Sequence, residues 1–185
     1  KRKNIPVNFV GSGSNLLVSD SGIEGIVVSL EKSMRKITFL SETMIYVESG
    51  AMLGKLVKLS ISNNLTGLES LIGIPGTLGG ALVMNAGAFG REISRCLQYV
   101  DVIKMNGTKK QYSSKNIRFQ YRSSSFSKNE IIIGASFILK KDDPIGFAQA
   151  IVNKRELLTY RRLTDVTLLC FPGTEVRESA NSSTI

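Results

Sequence analysis

Apolar positions along this chain fall into short clusters whose spacing switches between two and three or four residues. Ile5-Pro6-Val7-Asn8-Phe9-Val10 reads as a short strand ending at Gly11, and Gly25-Ile26-Val27-Val28-Ser29-Leu30 as a second, buried one. Two more strands are expected between residues 35 and 48, with Ile45-Tyr46-Val47-Glu48 the clearer. Leu53, Leu56, Val57 and Ile61 recur at helical spacing, which predicts a helix over 51–64 closed by Asn63-Asn64. Further on, Tyr99-Val100-Asp101-Val102-Ile103 and a strand over 109–112 flank Asn106-Gly107, a strong hairpin signal. Ser113-Ser114 with Asn116 suggests a short capped helical turn. Residues 130–139 read as a buried strand and 144–162 as a helix. Residues 163–185 show no periodicity and are expected to form a disordered tail.

Between these clusters lies a stretch of another kind, Gly73-Ile74-Pro75-Gly76-Thr77-Leu78-Gly79-Gly80-Ala81-Leu82-Val83-Met84-Asn85-Ala86-Gly87-Ala88-Phe89-Gly90. It holds six glycines and no charge. Each glycine inside a regular element costs about 1 kcal/mol relative to alanine, so a run this dense needs a compensating gain. One gain is close approach of main-chain N–H groups to a phosphate or a flat ring. The other is a tightly crossed helix with Gly/Ala contacts. Pro75, Gly76 and Gly79-Gly80 suit a tight turn into a small-residue helix. A second glycine turn, Gly11-Ser12-Gly13-Ser14-Asn15, follows the first strand. Several N–H groups can converge there on one anion, although a plain hairpin turn would read the same. It is not a dinucleotide fingerprint, because G-x-G-x-x-G fails at Leu16. Gly50-Ala51-Met52-Leu53-Gly54-Lys55 is one residue too short for a phosphate-binding loop and lacks the following Ser/Thr.

Composition narrows the chemistry. With 185 residues, 42% of them hydrophobic, the chain can bury one good core or two small lobes sharing one. No apolar run is long enough to cross a bilayer, and no signal-peptide core follows Lys1-Arg2-Lys3-Asn4, so no membrane role is expected. The chain starts at Lys rather than Met, so a missing or processed N-terminus is expected. There is no histidine, which excludes Ser-His-Asp hydrolysis and His-metal sites, and no metal is expected. Cys96 and Cys170 lack C-x-x-C spacing and suit a reducing cytoplasm. The net charge of +9 raises nucleic acid as a partner. The basic residues look scattered, however, and no exposed aromatics interleave with them. A basic cleft for a nucleotide-type ligand fits equally well, so no nucleic-acid role is expected.

Residues 73–90 match nearly throughout a signature, G-I-P-G-x-x-G-G-A…M-N-A-G-A-[YF]-G, and the chain thereby resembles the UDP-N-acetylenolpyruvoylglucosamine reductases. Two further matches stand in order: Gly11-Ser12-Gly13-Ser14-Asn15-Leu16-Leu17-Val18 before it and Tyr121-Arg122-Ser123-Ser124-Ser125-Phe126 after it. The resemblance implies an α+β fold of the vanillyl-alcohol-oxidase-like, PCMH-type flavoproteins, with FAD between two mixed αβ subdomains. It places a first, N-terminally incomplete subdomain at 1–50 and a second at 51–142, followed by the helix 143–162. FAD would be held by Gly11, Ser12, Gly13, Ser14, Asn15 and Leu16 and by Gly73, Ile74, Pro75, Gly76, Thr77, Gly79, Gly80, Ala81, Asn85, Gly87 and Ala88. The implied reaction is NADPH- and FAD-dependent reduction of UDP-N-acetylglucosamine enolpyruvate to UDP-N-acetylmuramate in peptidoglycan precursor synthesis, by a cytoplasmic monomer. Arg122 would be the catalytic residue of this chain, facing the substrate carboxylate with a forked, permanently charged donor set, and Tyr121 would line the same pocket.

The pattern breaks after Glu156. The family's G-S-x-F-[KA]-N-P motif, whose serine is its proton donor, finds no match, and neither does the final substrate lobe with its catalytic glutamate. Ser182 and Ser183 stand in no comparable motif. A frameshift or early stop is the expected origin of the 163–185 tail, which would leave either an active reductase lobe or an inactive FAD-binding remnant.

Overall fold

The computed structural model describes residues 5–143 and Gly146. β1 (Val7–Val10) and β2 (Ile26–Ser29) pair in parallel, with Val7 opposite Ile26 and Val10 opposite Ser29. The expectation of a buried second strand is corrected: Ile26 and Val27 are 49% and 46% exposed. Among the described residues this ribbon pairs with no third strand, and its other valines, Val7, Val10 and Val28, are only half-buried.

β3 (Ile37–Phe39) and β4 (Met44–Glu48) form an antiparallel hairpin, followed by α1 (Leu53–Ser62) and the short β5 (Leu65–Thr66). α1 buries Leu53, Leu56, Val57 and Ser60, the face its periodicity marks. It stops at Asn63, and Asn64 takes φ +54°, the left-handed position that asparagine tolerates after a helix. A 3-10 turn at Glu69–Leu71 leads through the glycine stretch into α2 (Leu78–Val83), then to a small hairpin of β6 (Gly87–Ala88) and β7 (Arg91–Glu92). β8 (Leu97–Lys104) and β9 (Lys109–Ser113) follow, joined through Asn106-Gly107 as expected. A 3-10 turn at Ser114–Asn116 has Ser113 before it, but the Ser113 side chain makes no cap hydrogen bond. β10 (Phe119–Gln120) and β11 (Ser123–Ser124) make a two-residue-turn hairpin. β12 (Glu130–Ile138) and β13 (Lys140–Lys141) complete the described chain. The expected helix over 144–162 and the tail over 163–185 lie outside the described residues. No helix among the described residues is long and apolar enough to cross a membrane.

The main sheet has the order β3-β4-β12-β8-β9 and is antiparallel throughout. Alternation gives it one dry face: Ile45, Val47, Val100, Val102, Ala135 and Phe137 are buried and join Leu53, Leu56, Leu78 and Leu82 in one core. α2 packs on β12 and β4. This sheet corrects the expected division between residues 50 and 51. β4 is hydrogen-bonded to β12, so residues 37–48 belong with the later strands rather than with the β1–β2 ribbon.

Gly50 shows how tightly the connection after β4 is made. A Cβ there would overlap the main-chain carbonyl oxygens of Leu30 and Ser33, neither of which can move alone. Gly50→Ala is therefore expected to lose about 3 kcal/mol of stability in urea unfolding. On the sheet's other face Tyr46 and Tyr99 lie with ring centroids 6.4 Å apart over Ser136, and Tyr46 also covers the missing side chain of Gly134. Burial, then the hydrogen bond and charge of Asp101, hold the Tyr46 hydroxyl protonated well above its usual range. The unfolded chain releases that proton at about pH 10, whereas the folded chain keeps it. Stability should therefore fall as pH rises past that point, and thermal melts of Tyr46→Phe should fall less steeply.

Candidate functional site

The two glycine turns, far apart in sequence, meet in space. A Cβ on Gly11 would overlap the Thr77 Oγ1, and one on Gly76 would stand 3.0 Å from the Ser14 Oγ and 3.9 Å from the Ser12 Oγ. The loop after β1 thus lies against the loop before α2, an approach that only residues without a side chain permit. Gly76 adopts φ +122°, a region closed to other residues without strain. The second loop is fixed from behind by residues 49–53: Leu53 donates to the Gly76 carbonyl (2.9 Å), Leu78 to Ala51 (2.8 Å) and Gly79 to Ser49 (2.8 Å).

These bonds decide which donors remain. The Leu78 and Gly79 amides, first in α2, are already engaged. Among the described residues the amides of Ser12, Gly13, Ser14 and Asn15 and those of Gly76, Thr77 and Gly80 donate to no protein acceptor. Ser12, Ser14 and Thr77 add hydroxyls, the buried Asn15 Nδ2 has no partner among the described residues, and neither glycine stretch contains a carboxylate. A donor-rich, acid-free pair of loops suits a diphosphate. Among the described residues no group of three or more His, Cys, Asp or Glu could hold a metal ion.

The other expected site residues form two further groups. Leu16, half-buried, closes the first turn with its amide on the Gly13 carbonyl (3.2 Å), Ile74 packs on the core, and Gly73 and Pro75 are exposed. Ala81 is buried in α2, while Gly87 and Ala88 form β6, where a Cβ on Gly87 would meet the main chain of Arg91 and Glu92. Asn85 turns instead toward the hairpin that carries Arg122. Its Nδ2 donates to the Gln120 carbonyl (3.2 Å), and Ser124 Oγ donates to the Val83 carbonyl (2.7 Å). Phe119 and Phe126 meet edge to face, 6.2 Å between centroids, beneath that hairpin. Arg122 is thereby tied to the end of α2. It is half-buried with φ +56°, and Asn85 has φ +44°. Such left-handed side chains persist only where surrounding bonds hold them, and they concentrate at functional positions. Tyr121, expected to line the same pocket as Arg122, sits at the hairpin tip, 85% exposed among the described residues.

Periodicity gave no sign of two residues that matter here. Ser49 accepts the Gly79 amide and lies against Gly79, and its buried Oγ has no partner among the described residues. The signal was the run of small residues directly after β4. Glu69 is only 1% exposed. Its Oε2 accepts the Gly67 amide (2.8 Å), while its Oε1 has no partner among the described residues. Cys96 nearby is no reactive thiolate, because burial and then the Glu69 charge push its thiol up.

Comparison with known proteins places this geometry. A family model described as an FAD binding domain matches residues 1–112. The UDP-N-acetylenolpyruvoylglucosamine reductase of Clostridium novyi is 40% identical over 144 residues, 77% of this chain and 46% of that protein. The Orientia tsutsugamushi protein of the same name is 32% identical over 183 residues, 97% of this chain and 59% of its own length. That alignment runs past Glu156, where the sequence motifs gave out. The chain spans about half the length of these relatives. Among solved structures, the Thermus caldophilus reductase of that name superposes with TM-score 0.70 at 27% identity, covering 86% of this chain and 58% of that one. 6-Hydroxy-D-nicotine oxidase from Arthrobacter nicotinovorans superposes with TM-score 0.54 at 13% identity over 74% and 31% of the two chains, which speaks for the shared fold alone. The expected α+β flavoprotein fold and the reductase resemblance are both borne out.

Proposed function

Because this chain belongs to the FAD binding domain family, we propose that it holds FAD for the NADPH-dependent reduction of UDP-N-acetylglucosamine enolpyruvate to UDP-N-acetylmuramate. The observation that carries this reading is the meeting of the two glycine loops at Gly11–Thr77 and Gly76–Ser14. On this reading the free amides of Ser12 to Asn15 and of Gly76, Thr77 and Gly80 would hold the cofactor's diphosphate, with no acidic side chain in either loop to oppose it. The hydride chemistry belongs to the flavin when it is bound, with NADPH as electron source and the enolpyruvyl group as acceptor.

Arg122 has the task that remains for this chain's own side chains. A guanidinium cannot lose its proton at working pH, so it neither donates nor accepts one here. It meets the substrate carboxylate with paired N–H donors and stabilises the negative charge that grows as the enolpyruvyl group is reduced. Holding it on a hairpin bonded to Val83 and Asn85 fixes its distance from the glycine stretch, which is the positioning such a step needs.

Titrating FAD into the purified chain and following flavin fluorescence and absorbance tests the first half. NADPH oxidation with and without the enolpyruvyl sugar tests the second. A yellow protein that oxidises NADPH only with that sugar is the expected result. A yellow protein without turnover would reduce the reading to flavin binding alone, and a colourless one would end it.

A further inference from the structure

The net charge of +9 is concentrated, not scattered. Seven Lys and Arg and no Asp or Glu lie between Asp101 and Glu130, so this one segment supplies most of the excess. The two carboxylates that bound it are occupied by neutral groups: Asp101 accepts Gln111 Nε2 (2.8 Å) and Glu130 accepts the Tyr112 hydroxyl (2.6 Å). One ion pair of the described residues, Lys141 with Glu42, lies outside this segment. Lys109 and Lys110 have an ordinary explanation, since lysines on an open edge strand such as β9 discourage pairing with other chains. That explanation does not extend to Lys115 and Arg118, which lie beyond the strand. Lys115 is in the 3-10 turn after β9, and Arg118 is at the base of the Arg122 hairpin, where it exchanges bonds with Ser125 (3.0 and 2.9 Å).

Along that hairpin Arg118 and Arg122 are separated by about 10 Å, roughly one screening length at physiological salt. Their fields therefore overlap on an approaching anion. Three cations in so short a span match the two or three charges of a single diphosphate better than the long track of a polymer. Tyr121, exposed between Arg118 and the turn's far side, offers one flat face, enough for one base and too little for a strand.

We propose that Lys115 and Arg118 steer a nucleoside-diphosphate anion onto the Arg122 hairpin. The proposal rests on the reading above that the substrate is a nucleotide sugar, and it makes the two residues steering groups that touch no reacting atom. It is tested by calorimetric titration of UDP-N-acetylglucosamine into the full chain at low and high salt. The variants are Lys115→Glu/Arg118→Glu and, as a control with the same change of net charge on the exposed side of α1, Lys55→Glu/Lys58→Glu. The hairpin pair should weaken low-salt binding about tenfold or more, with the difference closing at high salt, while the α1 pair changes it by less than about twofold. Equal losses from the two pairs would overturn the proposal. So would absence of UDP-sugar binding at both salts, or stronger binding of a single-stranded DNA oligonucleotide at the same site. FAD titration of both variants reports separately on the flavin reading and should be unaffected.

Discussion

Replacing Gly76 with alanine is expected to weaken FAD binding between about 10- and 100-fold, the equivalent of 1–3 kcal/mol of backbone strain placed on the cofactor loop. Two costs combine. At φ +122° an L side chain is held in a region it rarely enters, and the new methyl would stand 3.0 Å from Ser14 Oγ. The hydroxyl can rotate away, so the backbone cost dominates. Relief of either cost moves the Gly11 turn off the Thr77 loop, and with it the amides proposed for the diphosphate. Gly107→Ala supplies the comparison. Gly107 also has positive φ, +85°, but a Cβ there meets nothing within 4 Å, and it lies in the β8–β9 turn. It should lose a comparable part of its thermal stability yet bind FAD within about twofold of the parent, since strain alone does not reach the loops. Equal FAD affinities for the two variants would sink the cradle.

What the sequence made legible is what local pattern encodes. The α1 stripe, the β12 run and the Asn106-Gly107 turn each carry their signal within a dozen residues, and each is found where the spacing put it. The glycine signature likewise located α2 and its preceding loop. The sheet order was not legible, because pairing β4 with β12 joins residues far apart in the chain and no local pattern names the partner. The misplaced division at residue 50 has the same cause. Apolar content marked β2 as buried, but burial needs a covering layer, which composition cannot supply. The contact of Gly11 with Thr77 is the most informative miss. Each loop looked permissive alone, and only their mutual approach shows what the glycines are permitting.

Arg122 gives the second large effect, and its backbone makes the prediction sharper than a plain loss of activity. Arg122→Ala should lower kcat/KM for the enolpyruvyl sugar about 10²–10³-fold, the usual loss when a donor to developing negative charge is removed. FAD affinity should be unchanged. Arg122→Lys should recover only part of the loss, because an ammonium keeps the charge without the forked geometry. Stability should follow a different order. At φ +56° any residue with a Cβ is strained and glycine is not, so Arg122→Gly should be more stable than Arg122→Ala by about 1 kcal/mol, the reverse of their usual ranking. Both variants lack the guanidinium, so whatever it contacts cancels in the comparison. A glycine variant that melts higher than the alanine one yet is equally inactive would show that this hairpin tolerates strain to keep an arginine at one point. If the alanine variant melts higher, the left-handed turn is not held in solution. A glycine variant that kept its activity would remove Arg122 from the chemistry altogether.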